Sequence, residues 1–160
     1  MTHRLSTFER IVRRAHLFTD APTTQVGHPF EQRNIFERLP GVVRELFDDG
    51  HYAQATFEAF KFLDKEIARL SGSSEFGKSL MMKVFNESAP LIRLNSLSSE
   101  SERNEQEGFK FIFAGAVIAI RNPRGHDYSV RDTSDDCLDH LAFVSMMARR
   151  VERAGFRFQP

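Results

Sequence analysis

Tryptophan is absent, cysteine occurs once, and neither sign of charge prevails, with 22 lysines and arginines against 22 aspartates and glutamates in 160 residues. A lone cysteine excludes an internal disulfide and suits a reducing compartment. Balanced charge excludes a field that gathers polyanions over the whole surface, so contact with nucleic acid has to rest on local clusters of cations. The longest apolar run, Phe111 to Ile120, has ten residues, about half of what crosses a bilayer. Arg10, Arg13 and Arg14 interrupt what would be the apolar stretch of a secretory signal. A cytoplasmic protein without a membrane partner is therefore expected. Outside the segment discussed below, His3, His16, His28, His51 and His140 are scattered, with no metal-ligand spacing among them. No phosphate-binding glycine loop and no Gly-x-Ser-x-Gly elbow occur, so neither a metal nor a cofactor is expected.

What is present is helical periodicity. The chain is 41% hydrophobic with 16 phenylalanines, enough for one globular core. Leu5, Phe8, Ile11, Val12, Ala15 and Phe18 follow the i, i+3, i+4 rule of an amphipathic helix. Residues 1–30 then read as a helical arm and linker, and residues 31–160 as the domain proper. A helix is expected from Leu39 to Phe47, with Pro40 in its first turn and Gly50 after its end. A long helix follows from Tyr52 to the Ser71-Gly72-Ser73-Ser74 stop, and a shorter one from Lys78 to Asn86. Leu91, Ile92, Leu94 and Leu97 fit a short strand or a loop packed under the bundle. Another helix runs from about Glu102 to Ile120. The last begins at Thr133 or Ser134, with Asp135 and Asp136 against its positive end, and stops at Gly155. Cys137 falls on its apolar line, as a small buried hydrophobe. The sum is an all-α, up-and-down bundle of four to five helices, its core filled by phenylalanine.

The helix from Glu102 to Ile120 carries two apolar stripes, with small residues at Ala114, Gly115, Ala116 and Ala119. It belongs either at the centre of the monomer or against a second subunit. Directly after it stands Arg121-Asn122-Pro123-Arg124-Gly125-His126. Pro123 has no amide hydrogen and disfavours helical geometry at Asn122, so the helix is expected to end at Arg121. Gly125 then permits a tight turn that brings His126 back towards Arg121. At about 100° per residue, Arg103, Glu107, Lys110, Ala114 and Arg121 share one line, the wall of a candidate groove. An arginine that keeps its charge and an imidazole that titrates near neutrality can together perform phosphodiester chemistry without a metal. His126 suits the role of base towards a 2′-hydroxyl and Arg121 that of holding the phosphate. Asn122 and Arg124 would assist, and Lys110 would contact RNA. The same residues also suit a structural reading, in which Arg121 binds helix-end carbonyls and His126 is a turn residue bonded to Asp127.

Gly50-His51-Tyr52-Ala53-Gln54-Ala55, Leu80-Met81, Phe85, Glu105-Gln106-Glu107-Gly108, Phe113-Ala114-Gly115-Ala116, Arg121-Asn122-Pro123 and His126 together resemble the Ymh family of prokaryotic proteins, over roughly Phe36 to Gly155. That family is in turn similar to HEPN domains, helical bundles marked by Arg, four to six residues, then His. The resemblance implies a homodimer whose two motifs form one composite, metal-independent ribonuclease site. It implies a role as a toxin or in anti-phage defence, with Arg121 and His126 as the catalytic pair and Asn122 in support. Tyr128 completes an Arg-x4-His-x-Tyr pattern similar to toxins whose tyrosine is modified by an antitoxin, so an antitoxin or another defence protein is an implied partner. The alternative, which the neutral charge favours, is a non-catalytic ligand-binding or interaction module of a larger defence complex.

Overall fold

A computed structural model describes residues 27–127 and 129–159. The amphipathic helix expected over residues 5–19, most of the arm and linker, and Tyr128 lie outside the described residues. Within them the chain is helical, and no strand occurs. Its elements are α1 (Pro29–Gln32), α2 (Gly41–Asp48), α3 (Tyr52–Ser71), α4 (Gly77–Val84), α5 (Glu100–Ala116), a π-helical segment (Val117–Arg121), α6 (Asn122–His126) and α7 (Ser134–Arg153). Five of these have eight residues or more, in line with the helix count expected from periodicity. The one-turn α1 interrupts the expected linker, because Pro29 occupies its first turn and the His28 ring accepts from the Phe30 amide at 3.1 Å.

Local chemistry explains most boundaries. Pro40 sits at the N-cap of α2, one position before the expected first turn. Gly72 ends α3 in the left-handed region, φ 66°, which costs glycine nothing. Two capping boxes open α5 and α7. Thr133 and Asp136 exchange bonds at α7, and Ser99 and Glu102 do so at α5. Glu102 goes further. One of its oxygens accepts from the Ser98 hydroxyl, the Ser96 hydroxyl and the Ser98 amide, each at 2.7 Å. These bonds, led by the Ser98 and Ser96 hydroxyls, hold its carboxyl down to about 2. The serine-rich loop is thereby fastened to the helix it precedes.

The central element is α3, which packs against α2, α4, α7, the π segment and α6. Its Ala55, Ala59, Phe60, Phe62, Leu63 and Ile67 are buried, so two faces rather than one are covered. Cys137 is fully buried, and burial pushes its thiol up to about 11, as befits a small hydrophobe. Residues 90–97 form a loop, with Ile92 and Leu94 buried beneath it.

One expectation fails. Phenylalanine does not only fill the core, since Phe76 is 79% and Phe111 55% exposed. On α5 and the π segment, Phe111, Ile112 and Ile118 remain exposed together with Gly108, Gly115 and Ala119. Among the described residues no helix is long and apolar enough to cross a membrane.

Candidate functional site

The expected helix stop at Arg121 does not occur. Asn122 keeps helical angles, φ −65° and ψ −44°, and its amide donates to the Val117 carbonyl, five residues back. The chain widens into a π turn and continues as α6 to His126. The cause is Pro123, whose ring would collide with the carbonyl four residues earlier in a regular helix and which donates nothing. A π turn admits it without ending the rod. Gly125 is likewise helical and makes no reverse turn. Its role is close approach, because a methyl group there would stand 2.7 Å from Cε2 of Phe57 on α3. The extra residue rotates everything after Val117 by about 100° relative to a regular helix. The line from Arg103 through Ala114 to Arg121 is thus broken, and Ala114 itself is buried rather than set in a groove wall.

Arg121 is half-buried. Its Nη1 donates to Oδ1 of Asn122 at 3.1 Å, and its Cζ lies 5.3 Å from the centre of the Phe57 ring, close enough for a cation–π contact. It makes no ion pair within the described residues. Its Nε is the one buried side-chain nitrogen or oxygen among them without a hydrogen bond. Nη2 has no partner either and is open to solvent. Half-buried Asp64 feels its charge. Burial raises the Asp64 carboxyl, against the lowering influence of the Gly77 amide, 2.8 Å away, and of Arg121.

His126 is exposed at the end of α6 and makes no hydrogen bond with the described residues; the expected bond to Asp127 is not formed. Asp127 instead accepts from the Ser129 hydroxyl and amide, at 2.6 and 2.8 Å, and these bonds lower its carboxyl. The structure thus brings Arg121 and Asn122 together and leaves His126 free, roughly 7 Å further along the axis.

The two other cations singled out in the sequence have internal partners. Arg124 turns inward, where Nε and Nη2 grip both oxygens of Asp132, Nε at 2.8 Å, and Nη1 donates to the Ile120 carbonyl at 2.8 Å. Thr56 donates to the same carboxylate at 3.0 Å. Burial of Asp132 opposes its ionisation, yet Arg124, Thr56 and His140 together hold the carboxyl below its ordinary value. Lys110 is buried and paired with Glu87, beneath the loop that follows α4. It stands 11 residues before Arg121, about 16 Å along the helix, and the structure does not bring the two together. Glu58 and Lys61 form an i, i+3 pair at 2.9 Å. His51 occupies the N-cap of α3 without making a side-chain cap.

A groove of about 590 Å³ opens beside this helix end. The first turns of α3, from Gly50 to Glu58, form one wall, and Arg124, Gly125, Asp127 and Val130–Asp132 form the other. Sequence reasoning missed it, since its walls lie some 70 residues apart in the chain. The one signal was the Gly50-His51-Tyr52 run, which the resemblance had already picked out. Among the described residues no group of three or more His, Cys, Asp or Glu is placed to hold a metal ion.

The molecule is an all-helical bundle whose candidate site is an arginine and a histidine on a π-widened helix end. The chain belongs to the family described as "Protein of unknown function (Hypoth_ymh)", whose profile matches residues 33–151. No curated protein and no solved structure matches it.

Proposed function

We propose that the protein is a metal-independent endoribonuclease of the HEPN type, acting as a homodimer in a toxin or anti-phage role. The observation that carries this reading is Arg121, a permanent cation without a carboxylate partner among the described residues, whose buried Nε and open Nη2 donate to none of them. Buried polar groups are seldom left so. After the four residues from Asn122 through Gly125, the chain presents an exposed imidazole that makes no hydrogen bond with the described residues. In the proposed step the 2′-hydroxyl gives its proton to His126, and the 2′-oxygen attacks phosphorus. Arg121 holds the non-bridging oxygens as their charge grows, and the 5′-oxygen leaves. That oxygen needs a proton, so an acid is required as well as a base. The imidazole of a second copy, protonated beforehand, supplies it and becomes neutral, giving a cyclic phosphate and a 5′-hydroxyl end.

The uncovered face of α5 suits that second copy. A Cβ added to Gly108 or Gly115 would meet nothing within 4 Å, so another backbone can approach Phe111, Ile112 and Ile118 closely. Ala119, Gly125 and His126 are exposed as well.

Purified His126→Ala is expected to cut mixed RNA about 10²- to 10⁴-fold more slowly than the unaltered chain. Its thermal midpoint should stay nearly unchanged, because the exposed ring bonds to none of the described residues. Undiminished cleavage would exclude His126 as the base, and a monomeric mass at micromolar concentration would exclude the composite site. The internal pairing of Arg124 and Lys110, which leaves fewer cations for a phosphate backbone, favours a second reading, a non-catalytic interaction module. Failure of the unaltered protein to cut any RNA, together with binding of a partner protein at this helix end, would select it.

A further inference from the structure

The groove beside Gly125 takes no part in the chemistry above, yet its walls suit another part of the same substrate. Its charges cancel. Arg124 is bound to Asp132, Glu58 to Lys61, and Asp127 stands against Arg131. A neutral groove does not select a phosphate. It offers instead the Phe57 ring, the apolar Ala53 and Val130, and polar groups that no other described residue uses. The Gln54 amide is exposed and makes no hydrogen bond with the described residues, and the Tyr52 hydroxyl makes none with them either. A carboxamide presents one acceptor and two donors in a plane, the complement of a base edge. The volume lies within the range of small-molecule sites.

The groove also stands in a defined relation to the phosphate-holding cation. Phe57 lines it, and the same ring carries the Arg121 guanidinium at 5.3 Å. Gly125, which lets α6 approach that ring, lines the groove too. One aromatic ring therefore separates a neutral, amide-bearing groove from a phosphate-seeking cation, much as a ribose separates a base from its own phosphate. We infer that the groove is the base-binding subsite for the RNA, holding the nucleobase beside the bond that is cut, with Gln54 reading its edge. This inference rests on the ribonuclease reading.

The test measures kcat/KM of the full chain on four short RNAs that differ only in the base beside the cleaved bond. The unaltered protein should prefer one base by about tenfold or more, the discrimination of one two-point contact. Gln54→Ala removes an unbonded surface side chain and should flatten the preference to about twofold or less. An unaltered protein without base preference, or a variant that keeps it while cutting, overturns the subsite and leaves the nuclease standing. Should the unaltered protein cut none of the four, the nuclease reading fails, and titration with the four nucleoside monophosphates decides. Saturable amide shifts at Gln54, Phe57 and Val130 would then support a base pocket on its own. Their absence would overturn it.

Discussion

Gln106→Leu is expected to lower the thermal midpoint by about 10–20 °C, although the two side chains have similar size and leucine is the better helix former. Gln106 lies on α5 and is fully buried. Its Oε1 accepts from the Leu94 amide at 2.9 Å, and its Nε2 donates to the Phe85 and Ile92 carbonyls at 3.2 and 3.1 Å. Every polar atom of the carboxamide thus serves the backbone of the loop between α4 and α5. Leucine would leave one amide and two carbonyls without partners under Ile92 and Leu94, which are themselves buried. At about 1–3 kcal/mol for each orphaned group, with carbonyls at the lower end, the loss is about 3–5 kcal/mol. Native-state hydrogen exchange offers a second readout, because the Leu94 amide loses its only acceptor. A midpoint within about 3 °C of the parent, or unchanged protection of Leu94, would show that water or relaxation replaces these bonds.

Gln106 also marks where the sequence stops being legible. The long helices could be read because their causes are local, namely apolar spacing in α3 and α7, the Thr133–Asp136 box and the glycine after Ser71. A glutamine between Glu105 and Glu107 looks solvent-facing, and only the loop folded over it turns it into a core residue. The same limit applies at the site. Local rules end a helix before Asn122-Pro123, whereas the fold keeps the rod going by widening one turn. What holds the continuation in place lies outside the helix itself, with Phe57, remote in sequence, against Gly125, and Asp132 in the following loop across from Arg124. The resemblance pointed to Arg121, Asn122 and His126 without reference to these neighbours. It did not indicate that Arg124 and Lys110 would have carboxylates of their own, because Glu87 and Asp132 sit in loops whose placement no periodicity describes. The apolar surplus of α5 was legible as a choice between a central helix and a shared one. Phe111 and Ile118 remain exposed, and α3 packs against more of the other elements than α5 does.

Asp132→Ala is expected to cost about 3–5 kcal/mol at neutral pH, the usual consequence of removing one partner of a buried pair. The Asp132 side chain is 3% exposed and that of Arg124 10%. The variant therefore strands a guanidinium in the interior and also frees Thr56. Because the pair bridges α6, α3 and the segment before α7, its loss loosens the end of the helix that presents His126. Charge as the cause gives the effect a definite pH dependence. The Asp132 carboxyl is held below its ordinary value of 3.8 in the fold. Its contribution is accordingly complete above that value and disappears as pH falls through it towards the lower folded value. The gap in thermal midpoint between parent and variant should be full at pH 7 and should narrow below about pH 4. His140, whose pKa is lowered by burial and by the Arg124 charge and raised by Asp132, costs the fold stability as pH falls towards its range, since the unfolded chain takes up its proton first, and it does so more in the variant, where the Asp132 influence is gone. A companion variant, Arg124→Met with Asp132→Leu, removes both charges and should recover most of the stability. A gap that stays constant down to pH 3, or a double variant no better than the single one, would mean that shape rather than charge fastens this helix end.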